Sequence, residues 1–236
     1  MDSLFIVMPA YNEEDNIGNV VRQWYPILDG KDENSRIVIA DSGSTDATHE
    51  ILEKLQKEYS KLEILSETKK QHGPKVIALY DYAIKQGGEY IFQTDSDGQT
   101  NPAEFDNFWE NRKQYDGIFG YRNVREDGKI RDFVEKVVCF LLRIYFGVKI
   151  PDANAPFRLM KAEIVKKYLY RMPEDYHIPN ILITTYFVYY HEKILFKTIS
   201  FTSRQGGENS INILNIIKTG WKAVKDFSGL KKEMKC

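Results

Sequence analysis

Short apolar runs alternate with amphipathic stretches along the first half of the chain. The apolar runs are nearly continuous, which predicts strands that are buried on both faces of a sheet. We expect the strands at residues 4–8, 37–40, 61–67, 90–93 and 116–122, and helices starting near residues 12–16, 44, 75 and 102. Strands that alternate with helices predict an α/β fold of Rossmann-like type, with a mostly parallel sheet and right-handed crossovers.

Residues 129–148 follow the spacing of one long amphipathic helix. Phe140 and Ile144 widen its apolar face, and Lys136 and Arg143 make its surroundings basic. A helix of this kind either packs on the body of the domain or rests on an anionic bilayer surface, and the pattern leaves both interpretations open. The sequence shows no linker-like segment and no internal repeat, so we expect one domain with a helical C-terminal portion.

Polar residues cluster directly after four of the predicted strands, at 11–14, 41–46, 95–99 and 121–125. The carboxyl ends of parallel strands lie at one edge of the sheet, where open α/β proteins bind their ligands. Because four separate strand ends share this polarity, the sequence predicts a binding site at that edge.

The segment TDSDGQT at 94–100 places oxygen-bearing side chains at alternate positions, Asp95, Asp97 and Gln99. Mg²⁺ and Mn²⁺ accept such ligands and leave coordination positions for substrate phosphates. A divalent cation would also offset the mutual repulsion of the two carboxylates. The alternative interpretation is a solvated acidic turn, because a D-x-D pattern alone is common.

The segment DSGSTD at 41–46 predicts a loop that enters a helix, with Gly43 permitting a tight turn. Ser44 or Asp46 can cap the helix. Asp41 comes before the cap and is free to hydrogen-bond a ligand. The sequence contains neither G-x-x-x-x-G-K-[ST] nor G-x-G-x-x-G, so we expect neither a P-loop nor a dinucleotide fingerprint.

The composition argues against several classes of partner and site. A net charge of -1 gives no argument for a nucleic-acid partner. Cys139 and Cys236 indicate no disulfide framework and no zinc site, which favours a reducing cytosol. No signal peptide is visible and no apolar run approaches the roughly 18 residues that span a bilayer. We therefore expect a cytoplasmic chain, either free or peripheral on the cytoplasmic membrane face. The histidines occur singly and receive no role.

Five segments together resemble one enzyme family. MPAYNEE, ADSGSTD and TDSDGQ, in this order, resemble family 2 glycosyltransferases with the GT-A fold. DANAPFRLM at 152–160 and SRQGGENS at 203–210 resemble the dolichol-phosphate mannose synthase-like branch, which uses polyprenyl phosphates. The likeness implies a single GT-A domain over 1–236, with a nucleotide-sugar-binding half at 1–125 and an acceptor-side half at 126–236.

The chain departs from the family pattern at three places. Pro156 stands before Phe157, where the branch usually has glycine, and Ile211 follows Ser210, where it usually has lysine. HGPKVIA at 72–78 matches the family's G-x-G-x-A turn only loosely. These differences bear on the sugar and the acceptor more than on the type of reaction.

The resemblance implies a role for each matching residue. A nucleoside-diphosphate sugar of the UDP or GDP type would be held at its base and ribose by residues at the first two strand ends: Pro9, Tyr11, Glu13, Asp41 and Ser42. Mg²⁺ or Mn²⁺ would be held on the diphosphate by the next cluster: Asp95, Asp97 and Gln99, with Ser96 among them.

Arginines are the implied phosphate-binding groups, because a planar guanidinium matches phosphate oxygens. The candidates are Arg122, Arg131, Arg158 and Arg204, with Ser210 near the loop that carries Arg204. Asp97, through the metal, and Arg204 are the implied catalytic residues. The two glycines after Arg204 would let its loop close over the diphosphate.

The sequence leaves the acceptor open between two classes. A polyprenyl phosphate attacks through its own anionic oxygen in an inverting displacement, whereas a sugar hydroxyl needs a carboxylate to take its proton. Asp175, in the pair Glu174-Asp175, is the candidate base for a glycan acceptor. The segments at 152–160 and 203–210 and the basic helix favour the lipid phosphate, reached directly or through a membrane subunit. A sugar-nucleotide-binding protein without catalysis is a third hypothesis, disfavoured by the complete metal motif.

Overall fold

A computed structural model describes residues 1–122 and 129–202 together with Phe227, and only the backbone for residues 129–132. The described strands are β1 Leu4–Ala10, β2 Arg36–Asp41, β3 Leu62–Leu65, β4 Tyr90–Thr94, β5 Gly117–Arg122, β6 Phe157–Lys161 and β7 Ile194–Ile199. The described helices are α1 Ile17–Trp24, α2 Thr48–Glu58, α3 His72–Lys85, α4 Phe105–Trp109, α5 Lys129–Phe146, α6 Ala162–Leu169 and α7 Pro179–Tyr189.

The strands form one sheet in the order β3-β2-β1-β4-β6-β5-β7. β1 pairs in parallel with β2 and β4, and β2 pairs in parallel with β3. β6 runs antiparallel between β4 and β5, and β5 pairs in parallel with β7. β1, β2, β4 and β5 therefore end at the same edge, which we call the carboxyl edge. The predicted α/β class is confirmed.

Apolar side chains cover both faces of the sheet. Along β1, Phe5 and Val7 belong to the layer that packs under α3, α6 and α7, whereas Ile6 and Met8 belong to the layer under α1 and α2. All four side chains are fully buried. Burial on both faces explains why the strand is apolar at every position rather than at every second one.

Most elements begin and end within a few residues of the predicted positions. β1 continues past residue 8 through Pro9 to Ala10. Its pairing with β4 stops at Val7, so the missing N–H of Pro9 interrupts no bond on that side. The sequence pattern did not predict β6 and β7, which add strands to the C-terminal portion beside its helices.

Helix α5 has two apolar faces. Leu142 and Phe146 are buried against the domain, and the Phe146 ring lies 5.5 Å from the Phe227 ring, centroid to centroid. Four other apolar side chains are between 40% and 67% exposed and form what we call the exposed stripe: Phe133, Val137, Phe140 and Ile144. The helix therefore packs on the domain, as one interpretation predicted. Within the described residues, no helix has the length and apolar character needed to cross a bilayer.

Candidate active site at the carboxyl edge

The tip of β4 carries the predicted metal ligands in a tight turn. The Asp97 carboxylate accepts a hydrogen bond from the backbone N–H of Gln99 at 3.1 Å, and Gly98 takes a φ of 73°. The hydroxyls of Thr94 and Thr100 lie 2.7 Å apart and close the base of this turn. The geometry brings Asp95, Asp97 and Gln99 together beyond one strand end.

These three residues suit a hard divalent cation. Asp95 and Asp97 are partly exposed, and the amide nitrogen of Gln99 donates to the Thr202 carbonyl at 2.7 Å. That bond leaves the Gln99 amide oxygen without a hydrogen bond from any described residue. Among the described residues there is no group of three His, Cys, Asp or Glu side chains that could hold a metal. Mg²⁺ at phosphate sites commonly combines one or two carboxylates with phosphate oxygens, and Asp95 and Asp97 are two such carboxylates.

Two neighbours fix the Asp95 carboxylate. Gln93 donates from Nε2 to Asp95 Oδ1 at 3.3 Å, and His72 Nε2 lies 3.7 Å from the same oxygen. Ser96 ties the turn to β1, because its buried hydroxyl donates to the Pro9 carbonyl at 2.8 Å. The predicted residues Pro9 and Ser96 thus join the ends of β1 and β4 into one surface.

At the end of β2, Asp41 is 2% exposed and is oriented from two sides. It accepts from the Ser44 hydroxyl at 2.5 Å and from His49 Nδ1 at 3.0 Å. Ser42 contacts the connection between β3 and α3, because its hydroxyl lies 2.8 Å from that of Thr68. Ser44 therefore orients Asp41 rather than capping α2, which begins at Thr48.

The residues after β1 divide into one exposed ring and one buried carboxylate. Tyr11 is 46% exposed and can cover a ligand at the edge. Glu13 is buried, and its carboxylate accepts from the Asn16 side chain at 2.9 Å. Its backbone N–H donates to the Thr48 hydroxyl at 2.7 Å, so Glu13 also braces the start of α1 against α2.

A buried lysine reaches the same edge from the first turn of α3. Lys75 is 1% exposed as a residue, and its ammonium donates to the Ala10 carbonyl at 2.5 Å. It also lies 5.4 Å from the centroid of the Tyr11 ring. Burial lowers the pKa of Lys75, and the negative charge of Asp41 partly opposes that change.

Arg122, at the end of β5, is held by a buried bidentate ion pair with Asp152. Its Nε and Nη2 donate to the two carboxylate oxygens at 2.7 and 2.9 Å. Glu135 of α5 approaches Arg122 Nη2 at 3.9 Å and accepts from the Ala153 N–H at 2.8 Å. Burial and the nearby Asp152 charge raise the pKa of Glu135. This cluster joins β5, α5 and the segment before β6.

Arg158 of β6 is 1% exposed, and protein oxygens occupy its guanidinium. Nε and Nη2 donate to the Ala155 carbonyl, Nη2 also to Ala153, and Nη1 to the Asn180 carbonyl and the Thr184 hydroxyl. Arg158 therefore holds β6 against α7, and these contacts leave its guanidinium engaged with protein oxygens rather than open to a ligand phosphate.

A chain of amides leads from the core to the tip of β4. The Tyr80 hydroxyl donates to the Asn180 side chain at 3.0 Å, and Asn180 donates to the Gln93 side chain at 3.1 Å. Gln93 then donates to Asp95. Burial raises the pKa of Tyr80 far above its usual value, so its hydroxyl remains a proton donor.

Asp175 is exposed in the segment before α7. This segment packs on the first turn of α3, because a Cβ on Gly73 would collide with the backbone of Tyr176 and His177. His72, next to Gly73, is the residue that approaches Asp95. The structure thus brings the Asp175 segment alongside the tip of β4.

Some predicted residues lie outside the described part of the chain, and some described ones were not predicted. Arg204 and Ser210 lie outside the described residues, as does the side chain of Arg131. His49 and Lys75 were missed, as was His72, because only the fold brings them to Asp41, Ala10 and Asp95. For Lys75 the sequence held one signal, a lysine within the loosely matching HGPKVIA turn.

Comparison with known proteins identifies the family. The family model described as Glycosyl transferase family 2 matches residues 5–169. The chain belongs to this family. An undecaprenyl-phosphate 4-deoxy-4-formamido-L-arabinose transferase from Shewanella sediminis (strain HAW-EB3) is 24% identical over 221 residues, covering 92% of this chain and 64% of the relative. A relative of the same name from Edwardsiella ictaluri (strain 93-146) is 24% identical, covering 90% and 64%. The chain thus spans about 64% of the length of these curated relatives.

Solved structures of one enzyme are also similar to this chain. Glucosyl-3-phosphoglycerate synthase from Mycobacterium tuberculosis, crystallised with Mn²⁺, UDP and glucosyl-3-phosphoglycerate, matches with a TM-score of 0.68 and 17% identity, covering 98% of this chain and 80% of that one. The same enzyme with Mn²⁺, UDP-glucose and phosphoglyceric acid gives a TM-score of 0.69, with 16% identity and coverage of 98% and 79%. These matches confirm the GT-A fold.

Proposed function

We propose that this chain transfers a sugar, with inversion, from a nucleoside-diphosphate sugar to a polyprenyl phosphate. The observation that carries the proposal is the tip of β4, where Asp95, Asp97 and Gln99 converge beside the ends of β1 and β2. The relatives named for undecaprenyl phosphate support the acceptor class. The UDP and Mn²⁺ in the similar structures support a uridine donor with a divalent metal, and a GDP donor is the alternative.

The sugar donor lies across the carboxyl edge in this proposal. Asp41, oriented by His49 and Ser44, accepts a hydrogen bond from the base. Tyr11 covers the nucleoside, and Asp95, Asp97 and Gln99 hold Mg²⁺ or Mn²⁺ on the diphosphate. A cation bound there supplies positive charge that stabilises the departing diphosphate. Arg204 and Arg131 remain proposed phosphate ligands, and Ser210 is proposed to lie near Arg204.

The transfer exchanges one bond at the anomeric carbon for another. An oxygen of the acceptor phosphate forms a bond to that carbon while the bond to the diphosphate oxygen breaks, and the nucleoside diphosphate leaves with the electron pair. Attack from the face opposite the leaving group inverts the anomeric configuration. Because the phosphate oxygen carries no proton to remove, the protein has to orient two anions rather than move a proton.

The acceptor also implies a place of action. A polyprenyl phosphate is held in a bilayer, so we propose that the chain works at the cytoplasmic membrane surface. The exposed stripe of α5, flanked by the exposed residues Lys136 and Arg143, is suited to contact with anionic lipid. A separate membrane subunit that recruits the chain is the alternative.

A glycan acceptor is the second candidate. It is supported by the packing of the Asp175 segment on Gly73, which brings a candidate base alongside the tip of β4. In that reaction Asp175 takes the proton of a sugar hydroxyl. Asp175→Asn separates the two candidates. Retained turnover supports the lipid phosphate, and loss of turnover with unchanged nucleotide binding and an intact fold supports the glycan.

The proposal is tested in two steps. Melting temperatures are first measured with UDP, GDP and CMP, with and without Mn²⁺, and a metal-dependent increase is expected for one nucleotide, because ligands that bind only the folded state stabilise it. Transfer of radiolabelled sugar to undecaprenyl phosphate, with release of the nucleoside diphosphate, is then measured. No stabilisation by any nucleotide contradicts the proposal. Nucleotide binding without donor hydrolysis and without transfer to either acceptor class leaves only the binding-protein hypothesis.

A further inference from the structure

Thr202 and Gln99 stand 103 positions apart in the chain, and three hydrogen bonds pair them. The Thr202 N–H and the Thr202 hydroxyl both donate to the Gln99 backbone carbonyl, at 3.1 and 3.3 Å. In the opposite direction, the Gln99 side chain donates from Nε2 to the Thr202 backbone carbonyl at 2.7 Å. Because Gln99 is buried, water competes little for its amide, and the bond to Thr202 sets how that amide is turned.

The segment that carries Thr202 is itself held by contacts outside the metal-binding turn. It follows β7, which pairs in parallel with β5. The N–H of Ser200 donates to the Glu104 carboxylate at 3.0 Å. The Phe201 ring is buried, and its centroid lies 5.0 Å from the guanidinium carbon of Arg122 at the end of β5. Thr202 is therefore fixed in place by other parts of the domain and can orient Gln99 rather than follow it.

The orientation of the Gln99 amide matters because its two ends differ in character. The oxygen end can bind a cation, whereas the –NH₂ end is a hydrogen-bond donor that a cation repels. Rotation of the side-chain amide by half a turn exchanges the two ends. The Thr202 carbonyl holds the –NH₂ end, so the oxygen is the end that remains for a ligand. The backbone of the same residue donates to the Asp97 carboxylate at 3.1 Å, which keeps the two side chains in one turn.

We propose that Thr202 is a positioning residue for the metal site, because its carbonyl fixes the Gln99 amide with the oxygen end toward the cation. This inference rests on the proposed function, in which Asp95, Asp97 and Gln99 hold Mg²⁺ or Mn²⁺. Thr202 acts through Gln99 and contacts neither the cation nor the sugar nucleotide. The competing explanation is that the pair only fastens the residues after β7 to the domain and has no effect on metal binding.

The first test replaces Gln99 with glutamate, which keeps an oxygen ligand and adds negative charge. A carboxylate cannot donate to the Thr202 carbonyl, and the two acceptors repel each other. Gln99→Glu is therefore expected to raise the dissociation constant of Mn²⁺ by about tenfold, as other lost orienting contacts do, although it brings a third carboxylate to the site. Electron paramagnetic resonance of free Mn²⁺ measures that constant at saturating UDP, or GDP if the protein prefers it. Gln114→Glu, which adds the same charge at an exposed glutamine, is expected to leave it unchanged.

The second test changes Thr202 and leaves every proposed metal ligand in place. Thr202→Val removes the hydroxyl that donates to the Gln99 carbonyl and keeps the shape of the side chain, whereas Thr202→Ser keeps the hydroxyl. Loss of one hydrogen bond of the pair is expected to raise the Mn²⁺ dissociation constant about two- to tenfold in Thr202→Val. Thr202→Ser is expected to match the unmodified protein. Nucleotide affinity without metal is expected to be the same in both variants.

The proposal requires both losses of Mn²⁺ affinity. It is overturned if Gln99→Glu binds Mn²⁺ as tightly as the unmodified protein, or more tightly. It is also overturned if Thr202→Val and Thr202→Ser bind Mn²⁺ equally well, and a lower melting temperature of ligand-free Thr202→Val then shows a fastening role only. If Gln99→Glu does not fold, the two Thr202 variants decide.

Failure of the proposed function gives a different result from failure of this inference. If the unmodified protein binds nucleotide but no Mn²⁺, the metal-assisted part of the proposed function fails and the role of Thr202 fails with it. If it binds no nucleotide, the proposed function fails as a whole. Normal Mn²⁺ and nucleotide binding by the unmodified protein, with unaltered Mn²⁺ affinity in the variants, contradicts the role of Thr202 alone.

Discussion

Gln93 donates its side-chain amide to Asp95, with 3.3 Å between Nε2 and Oδ1. The two residues are two positions apart at the end of β4, so their side chains project to the same side. Asn180 holds the oxygen of that amide, and Tyr80 in turn holds Asn180. The direction of a surface carboxylate is therefore set from the core, and no described residue bonds to Asp95 Oδ2.

Gln93→Met is expected to weaken metal binding at the proposed site, because it removes the amide that orients Asp95, while it keeps a side chain of similar volume in the core. Residues that orient metal ligands typically change metal affinity about 10- to 100-fold when replaced. We expect the Mn²⁺ concentration for half-maximal turnover to rise by about tenfold, with a smaller change in maximal turnover.

The matched control is Gln114→Met, which makes the same change at an exposed glutamine. Its Mn²⁺ requirement is expected to equal that of the unmodified protein. An unaltered Mn²⁺ requirement in a folded Gln93→Met variant would show that the amide chain is structural only.

Asp95→Asn and Asp97→Asn are expected to remove most of the activity. Each takes one negative charge from the cation site, and the stabilisation that such a site supplies amounts to several kcal/mol. We expect transfer to fall by roughly a thousandfold or more, and the Mn²⁺-dependent rise in melting temperature with UDP to disappear. Asp106→Asn, at an exposed carboxylate on α4, serves as the control. Full transfer by either site variant would rule out a metal at the tip of β4.

Asp152→Asn is expected to lower stability in a pH-dependent way. Burial on its own raises the pKa of Asp152, but hydrogen bonds and charge from Arg122 outweigh burial and leave the pKa below its usual value. The ionised carboxylate therefore stabilises the folded state above the unfolded pKa of about 4, and this contribution is lost as the pH falls through the folded pKa. Urea denaturation at pH 7 is expected to show a loss of about 3 to 5 kcal/mol, as for other broken buried pairs.

At pH 3 the difference between Asp152→Asn and the unmodified protein is expected to be smaller than at pH 7. An equal difference at both values would mean that the variant acts through packing and not through the charge of Asp152.

The double variant Phe133→Ser/Phe140→Ser is expected to bind more weakly to vesicles that contain anionic lipid, because both rings belong to the exposed stripe. Each Å² of apolar area that no longer contacts lipid costs roughly 25 cal/mol of binding free energy. Transfer to undecaprenyl phosphate in those vesicles should therefore fall by about tenfold or more. Transfer to a short-chain acceptor in detergent-free buffer should be unchanged. Equal losses with both acceptors would exclude a membrane role for the stripe.

The sequence predicted the first half of the fold well because its signals there are local. Strands buried on both faces must be apolar throughout, as in β1, and the polar turns after them mark the carboxyl edge. β6 gave no such signal, since its alternation places Arg158 in the interior, where only contacts with α7 and the segment before β6 satisfy it. β7 pairs with β5 from far along the chain.

The same distinction applies to the site. Asp95, Asp97 and Gln99 stand in one short segment, and the structure keeps them together. Asp152 and Arg122 are 30 residues apart, and nothing in either segment shows that they form an ion pair. The sequence therefore suggested a free guanidinium for ligand phosphate, whereas the fold engages that group with a protein carboxylate.

The reversed direction of β6 has a consequence for how this architecture can change. β6 separates the ends of β4 and β5 by two strand spacings, roughly 10 Å, and delivers its own amino end to the space between them. The connection before β6 therefore lies between the ends of β4 and β5, and its residue Asp152 pairs with Arg122 at the end of β5. Under the proposed function, mutations in this connection would alter the side of the site next to β5 and leave unchanged the strand ends that we propose to hold the sugar nucleotide.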